Sequence, residues 1–226
     1  MKSIKKLYCL AVLFFTLCIA TKAQLLKTAF TEGGSLNYLG LDFSKTKVIL
    51  EVTNPRTLKE AVYSSMNLLI IQEPKKYELE KAFRKNRMRH EFEAVNKNYE
   101  KINPEEILSR DEADFMRLKP ADIDSVVSQL DFSGEFGSSS ILEGIGVLFV
   151  VEAFKKERQD KKATPLAAVW VTFIDIDHKK VLLTERVEAK ATGGLSFRNY
   201  WASAIKSLID DIGDKKYAEW KAKYGS

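Results

Sequence analysis

Cysteine is nearly missing from this chain. Its 226 residues contain two, Cys9 and Cys18, both in the apolar stretch at the start. Everything after residue 18 is therefore without a disulfide, a thiol nucleophile or a cysteine metal site. Histidine is equally scarce, with His90 and His178 alone. A catalytic histidine needs a nucleophile and an orienting partner. The sequence offers no G-x-S-x-G elbow, no H-E-x-x-H pair and no phosphate-binding glycine loop. No catalytic residues are assigned on this basis, and no cofactor is implied.

An apolar run of membrane length is also missing. The apolar run at the start, Leu7 to Ala20, follows Lys2, Lys5 and Lys6 and precedes Thr21-Lys22-Ala23. Residues 1–23 thus read as an export signal. The run is shorter than the ~20 apolar residues that span a bilayer. Bulky Leu17 before Cys18 argues against a lipid-modified cysteine. The expected product is residues 24–226, exported to the periplasm or the extracellular space. No transmembrane segment is expected in the mature chain.

An excess of charge is missing too. Taking Lys2, Lys5, Lys6 and Lys22 from the 36 basic residues leaves 32 against 31 acidic ones, a net charge of +1. The basic character of the full chain belongs to its targeting segment and gives no reason to expect nucleic acid as a partner. About 200 residues suffice for a core without disulfides, and a single domain is the default at that length.

The pattern that remains is strongest from Gly144 to Ile212. Residues 144–154 and 166–176 are apolar on both faces, as central strands are. Ile145, Val147, Phe149 and Val151 share one face of the first, with Leu148, Val150 and Phe154 on the other; Glu152 breaks the pattern. In 181–191 one side is wet, and Glu185 stands out on the dry side. The short link Asp177 to Lys180 makes the second and third strands an antiparallel hairpin. Phe197, Trp201, Ile205, Leu208 and Ile212 then recur at helical spacing, with Gly213 as the expected stop. Tyr217, Trp220 and Tyr224 form a short stripe after it, either core or a docking face.

Earlier in the chain, Ser35 to Phe43 alternates as a strand. Ser44-Lys45-Thr46 reads as a turn, with a return strand from Lys47. Asn54-Pro55 starts a helix over 55–72, because Asn caps free N–H groups and Pro suits the first position. A charged helix is expected over 75–86. Alternation from Met88 to Ala94 suggests a strand, Asn103-Pro104 a short helix, and Lys119-Pro120 another. Residues 133–140 read as a Gly/Ser linker and 155–164 as a charged loop. The sum is an α+β domain with a mainly antiparallel sheet and helices packed on it.

Two clusters are candidates for chemistry. Asp175, Asp177 and His178 are the most metal-like group, although such residues also suit a hairpin tip. Arg198, Asn199, Tyr200 and Trp201, after Gly193-Gly194, could bind a polar ligand or a partner; aromatic stripes at this spacing also simply pack.

The Lys22-Ala23-Gln24 signal end, Gly40-Leu41-Asp42-Phe43-Ser44 and the Gly193 to Trp201 segment together resemble uncharacterised exported proteins of Bacteroidota-type bacteria. The order of strands and helix is also similar to periplasmic modules of the curli-secretion and penicillin-binding-protein-activator type. That resemblance implies an assembly or regulatory role without catalytic residues. The expected function is a non-enzymatic cell-envelope module binding a protein or polymer partner; the alternative is an exported hydrolase, with or without metal assistance.

Overall fold

The computed structural model describes residues 22–132, 142–156 and 165–225. The expected linker, all but two residues of the expected charged loop, and most of the expected signal lie outside these. Residues 22–30 form helix α1. The sheet then uses β1 (Ser35–Asp42), β2 (Lys47–Ile49), β3 (Arg87–His90), β4 (Leu108–Ser109), β5 (Ile145–Lys155), β6 (Leu166–Asp175) and β7 (Lys180–Lys190).

The expectation of a mainly antiparallel sheet is wrong. The strand path β3-β1-β5-β2-β4 is parallel at every pairing. Only β6 and β7 add antiparallel pairs, on the other edge of β5. This is an α/β arrangement. The error traces to Ser44-Lys45-Thr46, which does not reverse the chain. β1 and β2 instead run one after the other along the same edge of β5, pairing with 146–150 and then 153–155. Between them Asp42 Oδ1 accepts from Ser44 N at 2.9 Å and from Ser44 Oγ at 2.5 Å. Thr46 Oγ1 donates to the Val151 carbonyl at 2.6 Å, beside a bulge in β5 between Val151 and Ala153. The kink in one strand thus faces the bulge in its neighbour, and the spare backbone carbonyl is satisfied by a side chain.

That bulge re-aims Phe154. It leaves the face of Leu148 and Val150 and stacks on Trp201, with ring centroids 4.6 Å apart. Phe173 meets Phe30 at 5.0 Å and Trp220 at 5.8 Å on this same helix-covered side. On the opposite side, Phe115 packs with Ala153 and Ala168. The main hydrophobic cluster extends from Leu26 to Trp220.

Helix α2 runs through Pro55–Thr57, a π turn over Leu58–Val62 and Tyr63–Gln72. Asn54 caps it as expected, accepting from Arg56 N at 2.9 Å and Thr57 N at 3.3 Å. The π turn adds a residue, so Leu58 and Tyr63, five apart, are both buried. The same device follows α7 (Phe197–Asp211). A π turn over Ile212–Lys216 carries the chain straight into α8 (Tyr217–Tyr224), and Ile212 and Tyr217 are both buried. Gly213 is therefore no helix stop. A Cβ there would lie 3.2 Å from Ala82 Cα, so the glycine serves close packing. Tyr217 and Trp220 belong to the core, and Glu185, the odd residue on the dry side of β7, accepts from Trp220 Nε1 at 2.7 Å and Lys216 Nζ at 2.8 Å.

The remaining helices are short. The helix expected over 75–86 is split into α3 (Pro74–Tyr77) and α4 (Leu79–Ala82) at Glu78, whose φ is +21°. The alternation after Met88 ends at His90, and α5 (Glu93–Glu100) replaces the rest of the expected strand. His90 lies beside the Tyr38 and Phe92 rings, and the partial loss of water around it pushes its pKa down although one side stays exposed. The segment after Asn103 is one 3-10 turn, Pro104–Glu106, leading into β4, and α6 (Pro120–Ser128) follows Lys119.

Asp42 is wholly buried, and burial raises its pKa despite its bonds to Ser44 and to Asn98 Nδ2 at 3.2 Å. A carboxyl with a raised folded pKa favours folding most while both states are protonated. That contribution is lost as pH rises from the unfolded value through the folded one. Asp42→Asn is therefore expected to gain stability relative to the parent as pH rises from about 4 to 8. Urea titrations across that range would show the opposite trend if Asp42 were held ionised.

Candidate functional site

The parallel strands β2, β4 and β5 end together, and open space gathers there, as is usual at the carboxyl edge of a parallel sheet. β2 and β4 stay paired up to the bond from Leu50 N to the Ser109 carbonyl at 3.1 Å. Leu50 then takes a φ of +57° and the two strands part. The gap is a cleft of about 620 Å³ lined by Leu50 to Thr53 and Leu108 to Arg110. A second cleft of about 290 Å³ shares Glu51, Val52 and Thr53 and is closed by Lys156, Gly194 to Phe197, Tyr200 and Trp201.

The wall made by the start of α7 is built tightly. Ser196 caps the helix by accepting from Asn199 N at 3.3 Å. Ser203 Oγ accepts from Thr192 N at 2.9 Å and Gly193 N at 3.3 Å, tying the preceding loop to the helix. Gly194 lies flat on the first turn: a Cβ there would sit 2.4 Å from Tyr200 N. Only glycine fits that approach.

Electrostatically the two clefts hold one ion pair, Glu51 to Lys156 at 3.4 Å, and Lys156 Nζ also lies 4.9 Å from the centre of the Tyr200 ring. Their lips are apolar. Val52 is 84% exposed and Leu195 is fully exposed.

Of the residues singled out in the sequence, Tyr200 and Trp201 line this site, but Arg198 and Asn199 do not. Arg198 Nε donates to Asn199 Oδ1 at 3.1 Å, so the two engage each other. Trp201 is buried, and its indole N–H has no partner among the described residues. Glu51, Val52, Thr53, Arg110 and Lys156 were not anticipated. Nothing in the sequence marks them, since Val52 follows the apolar run Val48 to Leu50 with only Glu51 between.

Asp175, Asp177 and His178 lie at the other end of the sheet and do not converge. Asp175 Oδ2 bonds His178 Nδ1 at 2.8 Å, and Asp175 Oδ1 accepts from His178 N at 3.3 Å. Asp177 turns away and accepts from Gly144 N at 3.2 Å. Among the described residues no group of three or more His, Cys, Asp or Glu side chains is placed to hold a metal. A groove of about 570 Å³ runs beside the Asp175–His178 pair, with Leu25, Asp124 and Leu182 in its walls.

No family model matches the sequence, and no curated protein matches it closely. Among solved structures, the hypothetical protein CT253 from Chlamydia trachomatis is 13% identical, with a TM-score of 0.37 over 86% of this chain and 98% of that one. A homolog of neuraminyllactose-binding hemagglutinin from Helicobacter pylori is 12% identical, with a TM-score of 0.29 over 85% of this chain and 91% of that one. Likenesses this distant assign no function, and the resemblances drawn from the sequence have no family model behind them. No helix of the described residues is long and apolar enough to cross a membrane.

Proposed function

We propose that this chain is an exported cell-envelope module that binds a protein or polymer partner without catalysing a reaction. The observation that carries this reading is the pair of exposed aliphatic side chains, Val52 and Leu195, on the lips of one cleft at the carboxyl edge of the sheet. Two such residues beside an open cleft lose water when a partner covers them. The site is also framed by rigid elements, the strand ends and the capped start of α7, so little ordering cost attends binding.

A photo-crosslinking residue placed at 52 or 195 in cells is expected to trap one recurrent adduct. The same residue at Leu68, an exposed aliphatic position on α2, is the control. Equal adducts at all three positions, or none at 52 and 195, would remove the reading. With the crosslinking residue at 195, Val52→Asp is expected to abolish the adduct, and with it at 52, Leu195→Asp is expected to do the same, while each aspartate changes stability by no more than about 0.5 kcal/mol, as solvent-exposed substitutions do.

A further inference from the structure

We infer that the gap between β2 and β4 receives an extended peptide segment carrying a carboxylate, which pairs with the backbone of Glu51 to Thr53 and is held at its acidic group by Arg110. This deepens the reading above by naming the chemistry of the partner. It rests on three observations. First, among the described residues Val52 and Thr53 make no hydrogen bond and Glu51 makes no backbone hydrogen bond, so the segment that continues from β2 leaves its N–H and C=O groups open. Open backbone groups directly after a strand end are what an added strand pairs with.

Second, the gap has a built opening. β2 and β4 separate only after the Leu50–Ser109 bond, because of the left-handed turn at Leu50. The resulting 620 Å³ has backbone on both sides. Third, Arg110 stands at its rim, exposed, with no ion pair or hydrogen bond among the described residues. The other cation nearby, Lys156, is paired with Glu51. The free guanidinium is thus the charge in the gap that a ligand can complement, and its planar fork suits a carboxylate. The apolar side chains of the peptide would alternate onto exposed Val52.

Selection of random peptides displayed on phage against the full mature chain tests this. The expected result is a consensus of alternating apolar residues with one Asp or Glu, or a free C-terminus, at one end. A fluorescein-labelled peptide of that consensus is then titrated by polarisation. Arg110→Glu is expected to weaken it by about tenfold or more. Val52→Pro, which removes one N–H, is expected to abolish binding, whereas Val52→Thr retains it. No enrichment, a basic consensus, or peptides indifferent to both Arg110→Glu and Val52→Pro would overturn the inference. If the adducts at positions 52 and 195 appear but Arg110→Glu leaves them unchanged, the partner-binding reading stands and the peptide inference fails.

Discussion

Arg186→Ala is expected to lower folding stability by about 3–5 kcal/mol, the cost of removing one partner from a buried ion pair. Glu152 has no solvent exposure. Its carboxylate accepts from Arg186 Nε at 2.7 Å, Leu118 N at 2.5 Å and Trp170 Nε1 at 3.1 Å. Arg186 spends its other arms on Glu188 at 2.6 Å and the Phe115 carbonyl at 2.6 Å, and its plane lies over the Phe115 ring at 5.2 Å. The pair therefore fastens the segment Glu112–Met116 and Leu118 onto the sheet. Truncating the arginine leaves a buried negative charge, a carbonyl without its guanidinium donor and an aromatic ring with only Lys155 over it.

The partners distinguish charge from packing. Glu152→Leu with Arg186→Met removes both charges and fills similar volume, so most of the loss should return. Urea unfolding of the single and double variants measures the coupling directly. Limited proteolysis near Phe115 should accelerate in Arg186→Ala and much less in the double variant. A single-variant cost below about 1 kcal/mol would mean that water already reaches Glu152.

This buried pair also shows what a sequence exposes and what it hides. Glu152 was visible as a charge inside an apolar strand, and Glu185 as another. Their partners were not, because Arg186 looked like an ordinary wet-side residue of β7, and Lys216 and Trp220 are distant in sequence. The strands and helices of the second half were legible because their apolar periodicity is strong, and only the β5 bulge at Glu152 and the π turn after Asp211 escaped it. The first half was harder, for a physical reason. Parallel pairing needs no local signal: β1 meets β5 across more than a hundred residues. The kink at Asp42 to Thr46 carries the polar residues of a turn, and only β5 decides that the chain continues forward. The site suffered likewise. The Gly193–Gly194 loop and Trp201 announced one wall, but the other wall is Glu51 to Thr53, a stretch with no motif, created where two strands part.

Trp201→Ala is the second large effect expected, about 3–5 kcal/mol, in the range for an aromatic core truncation. Trp201 is wholly buried, stacks on Phe154 at 4.6 Å and meets the Tyr200 ring edge-on at 5.3 Å. The stack exists only because the β5 bulge turns Phe154 toward α7, so bulge, strand and helix are coupled through this one ring pair. Removing the indole leaves a cavity that α7 cannot close by sliding, since Gly194 already touches its first turn. Trp201→Phe should cost far less than alanine. It keeps an aromatic surface against Phe154 and deletes an indole N–H that has no partner among the described residues. Because Trp201 also walls the cleft, the two variants separate stability from binding. Thermal and urea unfolding should rank them parent, Phe, Ala, while crosslinking at residue 195 should survive in Trp201→Phe. A phenylalanine variant as damaged as the alanine one would show that the N–H is satisfied, and that water or a bound group sits at the base of the cleft.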